Sequence, residues 1–181
     1  TGPYSSSSQF YRWVNEVTAQ PDVIYYAIKP LESGKSEGVA SYLQIQPSAG
    51  SIEVGNIAYA PSLQKTKAAT EAMFLMMHWA FEAGYRRYEW KCNALNEASR
   101  KAAQRLGFSF EGIFRQAMVV KGRNRDTAWF AMIDHEWPAL QEAFDVWLSP
   151  RNFDDKGDQK EHLGNLTGLI RANSDPLVKE F

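Results

Sequence analysis

Between residues 7 and 19, apolar side chains return at three- and four-residue steps (Phe10, Trp13, Val14, Val17), and the serines at 5–8 stand ready to cap. That spacing predicts an amphipathic helix. The pattern then becomes extended. Residues 23–28 read as a strand, 32–38 as a turn rich in Ser and Gly, 39–45 as a second strand, and Pro47 to Gly50 as another turn before a third strand carrying Glu53. Three strands on short loops predict an antiparallel meander. From about 64 to 83 the three-and-four step returns through Ala69, Ala72, Met73, Met76, Ala80 and Ala83, and Gly84 ends it. Residues 85–92 read as a strand reached through a helical crossover, hence parallel to its predecessor. Asn96 caps a second short helix, with Ala102, Ala103 and Leu106 inward and Gly107 closing it. A strand restarts at 108–112 and runs through Val120. The turn at 122–126 returns it as 127–133, a hairpin. Residues 137–148 look helical. Together these elements predict an α/β (α+β) fold, with one domain over residues 1–149 and a polar, broken arm over 150–181.

Composition narrows the setting. At 181 residues, one domain is the natural count, large enough to bury about 70% of its unfolded surface. Apolar residues make up 44%, so wholesale disorder is not expected. A net charge of −1 with scattered Lys and Arg leaves no footprint for nucleic acid. Cys92 is the single cysteine, and His78, His135 and His162 show no ligand spacing, so neither a disulfide framework nor a metal site is expected. No apolar run approaches 18 residues, and Thr1 to Ser8 lacks a signal-peptide layout. The expectation is a cytoplasmic protein with no membrane partner.

The most informative stretch is 52–73. A strand carrying Glu53 runs into a Pro-marked turn, and residues 64–70 open a long helix directly from it. The free N–H groups of a helix start, together with the helix dipole, favour an anion there. An anion seat beside a carboxylate suggests an enzyme holding a phosphorylated cofactor next to a proton-transfer site.

Four motifs then carry a family resemblance over residues 20 to 137. They are Glu53-Val54-Gly55, the turn 64–69 leading to Thr70-Glu71-Ala72, Asn96 and Ser99 opening a helix that ends Arg105-Leu106-Gly107-Phe108, and Phe110-Glu111-Gly112 ahead of a hairpin ending near Trp137. In this order the chain resembles the GNAT superfamily of acetyl-CoA-dependent N-acetyltransferases, and more narrowly its RimJ/RimL-type branch. The resemblance implies a mixed, mostly antiparallel sheet that splays between two central parallel strands, with helices on both faces. It also implies a first strand and helix ahead of residue 7, which the chain begins too late to contain. The family's turn usually reads Gln/Arg-x-x-Gly-x-Gly/Ala. Here Lys67 stands at the first glycine position and Ala69 fits the last, so the backbone approach to the phosphates is altered, or the ammonium itself pairs with a phosphate.

What the resemblance implies for chemistry is direct attack of an amine on the thioester of acetyl-CoA, as co-substrate, without metal. The N–H groups of Gln64, Lys65, Thr66, Lys67, Ala68, Ala69 and Thr70 take the pyrophosphate. The backbone of Ile57, Ala58 and Tyr59 pairs with the pantetheine amides, and Asn96 caps its helix and bonds the same arm. Glu53 is the first candidate for the base, Glu111 the rival, and Glu89 is expected to pair with a neighbouring arginine. Ser99 is the candidate proton donor, because Ala103 occupies the position where many relatives carry a tyrosine. The acceptor is a protein N-terminus or a small amine. Neutralising a chain-terminal amine at pH 7 costs about 1 to 1.5 kcal/mol, and a lysine amine about 4.5. Arg115, Arg123 and Arg125 are read as solvated hairpin charges and Cys92 as core. A two-fold dimer follows family habit alone. The competing function is a non-catalytic acyl-CoA binder or sensor.

Overall fold

A computed structural model describes residues 4–178. The first three residues, where the chain begins, and the last three lie outside it. In chain order the elements are α1 (Ser7–Thr18), β1 (Ile24–Ile28), β2 (Gly38–Gln46), β3 (Ser51–Tyr59), α2 (Lys67–Glu82), β4 (Arg87–Asn93), α3 (Glu97–Arg105), β5 (Ser109–Val120), β6 (Arg123–Ile133), α4 (Trp137–Leu148) and α5 (Leu163–Gly168). The six strands form one mixed sheet in the order β1-β2-β3-β4-β6-β5. Only β3 and β4 are parallel; the other neighbours run antiparallel. The meander, the crossover and the hairpin are all as the sequence predicts.

Register explains the central feature. β3 and β4 pair at only four positions, Ser51 with Arg87 through Val54 with Trp90. Beyond them β3 stays on β2 through Tyr59, while β4 stays on β6 through Asn93. The two middle strands therefore part from Gly55 onward, leaving one edge of residues 55–59 without a strand neighbour. A bulge marks the parting: the β2–β3 register shifts between Gly55 and Ala58, and Asn56 takes a positive φ of 51°; a second shift, at Gln44 with φ 48°, lies nearer the start of β3. The Asn56 amide donates to Ser41 Oγ at 2.9 Å, which fixes the irregular backbone.

The sheet has one greasy face. Tyr42, Ile52, Val54, Tyr88, Trp90, Phe130 and Met132 are buried in a single core with Met73, Met77 and Ala80 of α2, Ala103 of α3, and Leu140 and Phe144 of α4. The predicted stripe of α2 is therefore its buried face. Phe74 stacks on Phe144 at 5.3 Å and Phe81 on Trp137 at 4.9 Å, seating α4 against α2. Gly107 takes φ 95°, and a β-carbon there would lie 2.5 Å from Leu140. Only glycine lets α3 end there while α4 presses on it.

Three boundaries differ from the sequence reading. α2 begins at Lys67 rather than near 64, because Thr66 is the cap: its side chain accepts from Ala69 N at 3.1 Å. The hairpin reverses at Lys121 and Gly122, and β6 starts at Arg123. Residues 163–168 are helical, a turn the sequence reading leaves irregular. Leu163 and Thr167 are fully buried, and Asp175 forms a buried ion pair with Arg100 of α3 at 2.5 Å. Among the described residues, no helix is long and apolar enough to cross a membrane.

Candidate active site

The mouth of the parted strands gathers the chemistry. On one side the chain leaves β3 at Tyr59, turns through 60–66 and enters α2. Gln64 Nε2 donates to the Tyr59 carbonyl at 3.0 Å, tying the turn to the strand end. Of the N–H groups in the turn, Gln64 bonds Ala60 O, Thr66 bonds Leu63 O, Ala69 bonds Thr66 Oγ1 and Thr70 bonds Thr66 O. Those of Lys65, Lys67 and Ala68 take no acceptor among the described residues. Three donors at a helix N-terminus, with the dipole behind them, make a seat for an anion. Lys65 carries the backbone strain, with φ 61°, whereas Lys67 is an ordinary first helical residue. Its ammonium lies over the Phe153 ring, 4.9 Å from the centroid. The conformation at 67 does not require glycine.

On the other side, Asn96 caps α3 by accepting from Ser99 N at 3.1 Å. Ser99 Oγ accepts from the Trp90 indole at 3.0 Å. Trp90 belongs to the last β3–β4 pair, so Ser99 sits where the strands begin to part. Ala103 is fully buried.

Glu53 stands at the base of the split, on the sheet face opposite α2. It is 7% exposed, and burial lifts its pKa above the ordinary carboxylate range despite the opposing Lys91, whose ammonium is 2.9 Å from Oε2. Lys91 also bonds Glu89 Oε2 at 2.8 Å and lies 4.0 Å over the Trp129 ring. Arg87 bonds Glu89 at 2.7 Å and holds Glu111 with two hydrogen bonds, 2.7 and 2.6 Å. Glu89 thus has the expected arginine partner. Burial alone would raise it, but Arg87 and Lys91 together hold its pKa below the ordinary range. Both oxygens of Glu111 are engaged by Arg87.

On the same face, a cleft of about 910 Å³ lies between α1 and strands β1 to β3. Trp13, Tyr25 and Leu43 line it, and it reaches Asn56, Ile57 and Ala58. Gly55 borders this region. A β-carbon there would meet Leu43 at 2.8 Å and lie 3.8 Å from Glu53 Oε1.

A profile of the Acetyltransferase (GNAT) domain matches residues 1–109. The chain belongs to the GNAT acetyltransferase family. Among solved structures it is similar to a GCN5-related N-acetyltransferase from Brucella melitensis, at 47% identity over 93% of this chain and 76% of that one, with TM-score 0.89. A GNAT-family protein from Chromobacterium violaceum is 46% identical over 77% and 70% of the two chains, with TM-score 0.74. A T. thermophilus protein at 23% identity, covering 81% and 78% with TM-score 0.73, shares the fold. No curated protein matches the sequence. The protein is thus an acetyltransferase, and its family uses acetyl-CoA as co-substrate.

Within this GNAT frame, the residues singled out from sequence fall into two groups around one split: Ile57, Ala58, Tyr59 and the turn on the β3 side, Asn96 and Ser99 on the β4 side. Glu53 lies at its root. Two residues of evident consequence escape sequence reading. Lys91 is one, although the alternation Arg87, Glu89, Lys91 against Tyr88, Trp90, Cys92 marks a charged strand face. Arg105 is the other, visible in sequence only as a motif letter. Its guanidinium donates to Thr70 Oγ1 at 3.2 Å and lies 5.1 Å over Trp147, with burial lowering its pKa. Among the described residues, no three His, Cys, Asp or Glu side chains come together as a metal-ligand set.

Proposed function

We propose that this chain is an N-acetyltransferase of RimJ/RimL-like type that moves the acetyl group of acetyl-CoA directly onto a primary amine, a protein N-terminus or a small molecule. The observation that carries the reading is the parting of β3 from β4 directly above Glu53, with the anion seat on one lip and Ser99 on the other. The free edge of residues 57–59 pairs with the pantetheine amides as an added strand, and Asn96 faces the same arm. The N–H groups of Lys65, Lys67 and Ala68 hold the pyrophosphate. The amine enters through the cleft beneath α1, which meets the split at Asn56.

In the reaction the amine nitrogen forms a bond to the acetyl carbon and the carbon–sulfur bond breaks. Glu53 removes the amine proton, and Ser99 supplies a proton to the departing sulfur. Burial suits Glu53 to the first role, since a carboxylate lifted toward neutrality is a stronger base. The Trp90 indole occupies a lone pair of Ser99 Oγ and leaves the hydroxyl proton to be given. No covalent enzyme intermediate is formed.

Release of free thiol from acetyl-CoA, followed against a panel of amines, tests the reading. Wild-type protein should release thiol with at least one amine class, and Glu53→Gln should lower kcat/KM by on the order of 10² or more and abolish the acid limb of the pH profile. An unchanged profile would reassign the base.

A further inference from the structure

We infer that Lys91 is a positioning residue for acetyl transfer, one that clamps a single oxygen of Glu53 and leaves the other to face the amine. The inference rests on the reading of Glu53 as the base. It starts from a conflict in the sheet. Parallel register sets Glu53 of β3 directly beside Glu89 of β4, so two carboxylates share one partly dry face. Like charges that close raise one another's proton affinity. The Lys91 ammonium lies between them, 2.9 Å from one and 2.8 Å from the other.

The clamp is itself held in place. Lys91 is the first β4 residue beyond the last β3 pair, and its strand partner is Trp129 of β6, whose ring underlies the ammonium at 4.0 Å. Glu89 cannot swing away, because Arg87 binds its other oxygen and is itself locked to Glu111 of β5. The charged groups that bear on Glu53 are Lys91 and Glu89 from β4 and Arg125 from β6; from β2 it meets Leu43, which is neutral. Glu53 Oε2 is therefore committed to Lys91. Oε1 takes no hydrogen bond among the described residues and lies on the Gly55 side, where the missing β-carbon keeps space beside it. One carboxylate thus has a structural oxygen and a working oxygen. Lys91 decides which is which, and also keeps the group ionised against its burial.

The experiment compares Lys91→Met, Lys91→Arg and Glu89→Gln with wild type, reading the pH profile of kcat/KM and the ¹³C titration of the Glu53 carboxyl, assigned by its loss in Glu53→Gln. CoA affinity, measured by calorimetry, reports whether the cleft is intact. Lys91→Met should raise the acid limb and the carboxyl titration together, by on the order of 1 to 3 pH units, with CoA affinity within about threefold of wild type. Lys91→Arg should restore both curves, and Glu89→Gln should move both downward. Opposite shifts from the two neighbours are what a merely structural strand pair would not produce; if Lys91→Met does not fold, the downward shift of both curves in Glu89→Gln remains the test, and curves unchanged there would overturn the inference. Curves that coincide with wild type in Lys91→Met, or shifts of the same sign in Lys91→Met and Glu89→Gln, would overturn the inference. A carboxyl titration that moves while the rate profile stays still would keep the electrostatic coupling but show that Glu53 is not the base, which removes the proposed role along with that assignment.

Discussion

Ser99 shows how one hydroxyl serves fold and chemistry together. Its backbone N–H completes the Asn96 cap, and its oxygen accepts from Trp90 across the head of the split. Asn96 can cap α3 whatever the side chain at 99, so Ser99→Ala should leave the helix and CoA affinity nearly intact. The buried indole N–H loses a partner, at a cost of about 1 to 3 kcal/mol. Transfer should slow by on the order of tenfold or more in kcat; equal losses in kcat and CoA affinity would make Ser99 a binding residue instead. Lys67 illustrates the opposite case. Its ammonium rests over Phe153, and its backbone is already helical, so its N–H serves the anion seat without glycine's freedom. Lys67→Gly should therefore change CoA affinity by less than about tenfold in calorimetry, the loss of one nearby cation. A gain of a hundredfold would mean that the side chain obstructs the phosphates.

Helix α3 carries half the mouth but is only nine residues long, too short to hold itself. Its rigidity comes from α5 and the segment after it. Arg100 makes a two-pronged bond to Asp175 and a third to Ala94 O, while Asp175 N donates to Gln104 Oε1. Thr167 Oγ1 donates to Arg105 O at the other end of the helix. Removing one partner of a buried ion pair strands the other charge, so Asp175→Asn should destabilise the fold by about 3 to 5 kcal/mol, seen as a clear drop in Tm. Thiol release should fall with it once α3 loosens. A Tm indistinguishable from wild type would show that the residues after 150 do not hold the site. None of this is legible in the sequence. Arg100 and Asp175 are 75 residues apart, and the polar composition after Pro150 hides the few buried contacts, Leu163, Thr167 and Asp175, that seat the segment.

What is legible in the chain is local. Helix periods, the meander, the crossover and the hairpin all follow from spacing within twenty residues or so, whereas the splayed mixed sheet is what the family resemblance implies, and the placing of β6 rather than β5 beside β4 is seen only in the structure. The site's electrostatics are not legible there, because they depend on register between strands that are distant in sequence. Glu53 looks like a lone strand carboxylate until β4 arrives beside it and brings Glu89 and Lys91 to the same face. The parting of β3 and β4 is likewise a property of two pairings ending, which no single segment encodes. The described residues then offer a groove with an unpaired strand edge, a helix start with three N–H groups unbonded among them, and a buried carboxylate at its root. We propose that these are one binding track for acetyl-CoA. Amide hydrogen exchange with and without acetyl-CoA tests that most directly. Exchange should slow chiefly at Lys65, Lys67, Ala68 and along 57–59, with the outer strands β1 and β5 unchanged; binding that leaves those amides unprotected would contradict the proposal.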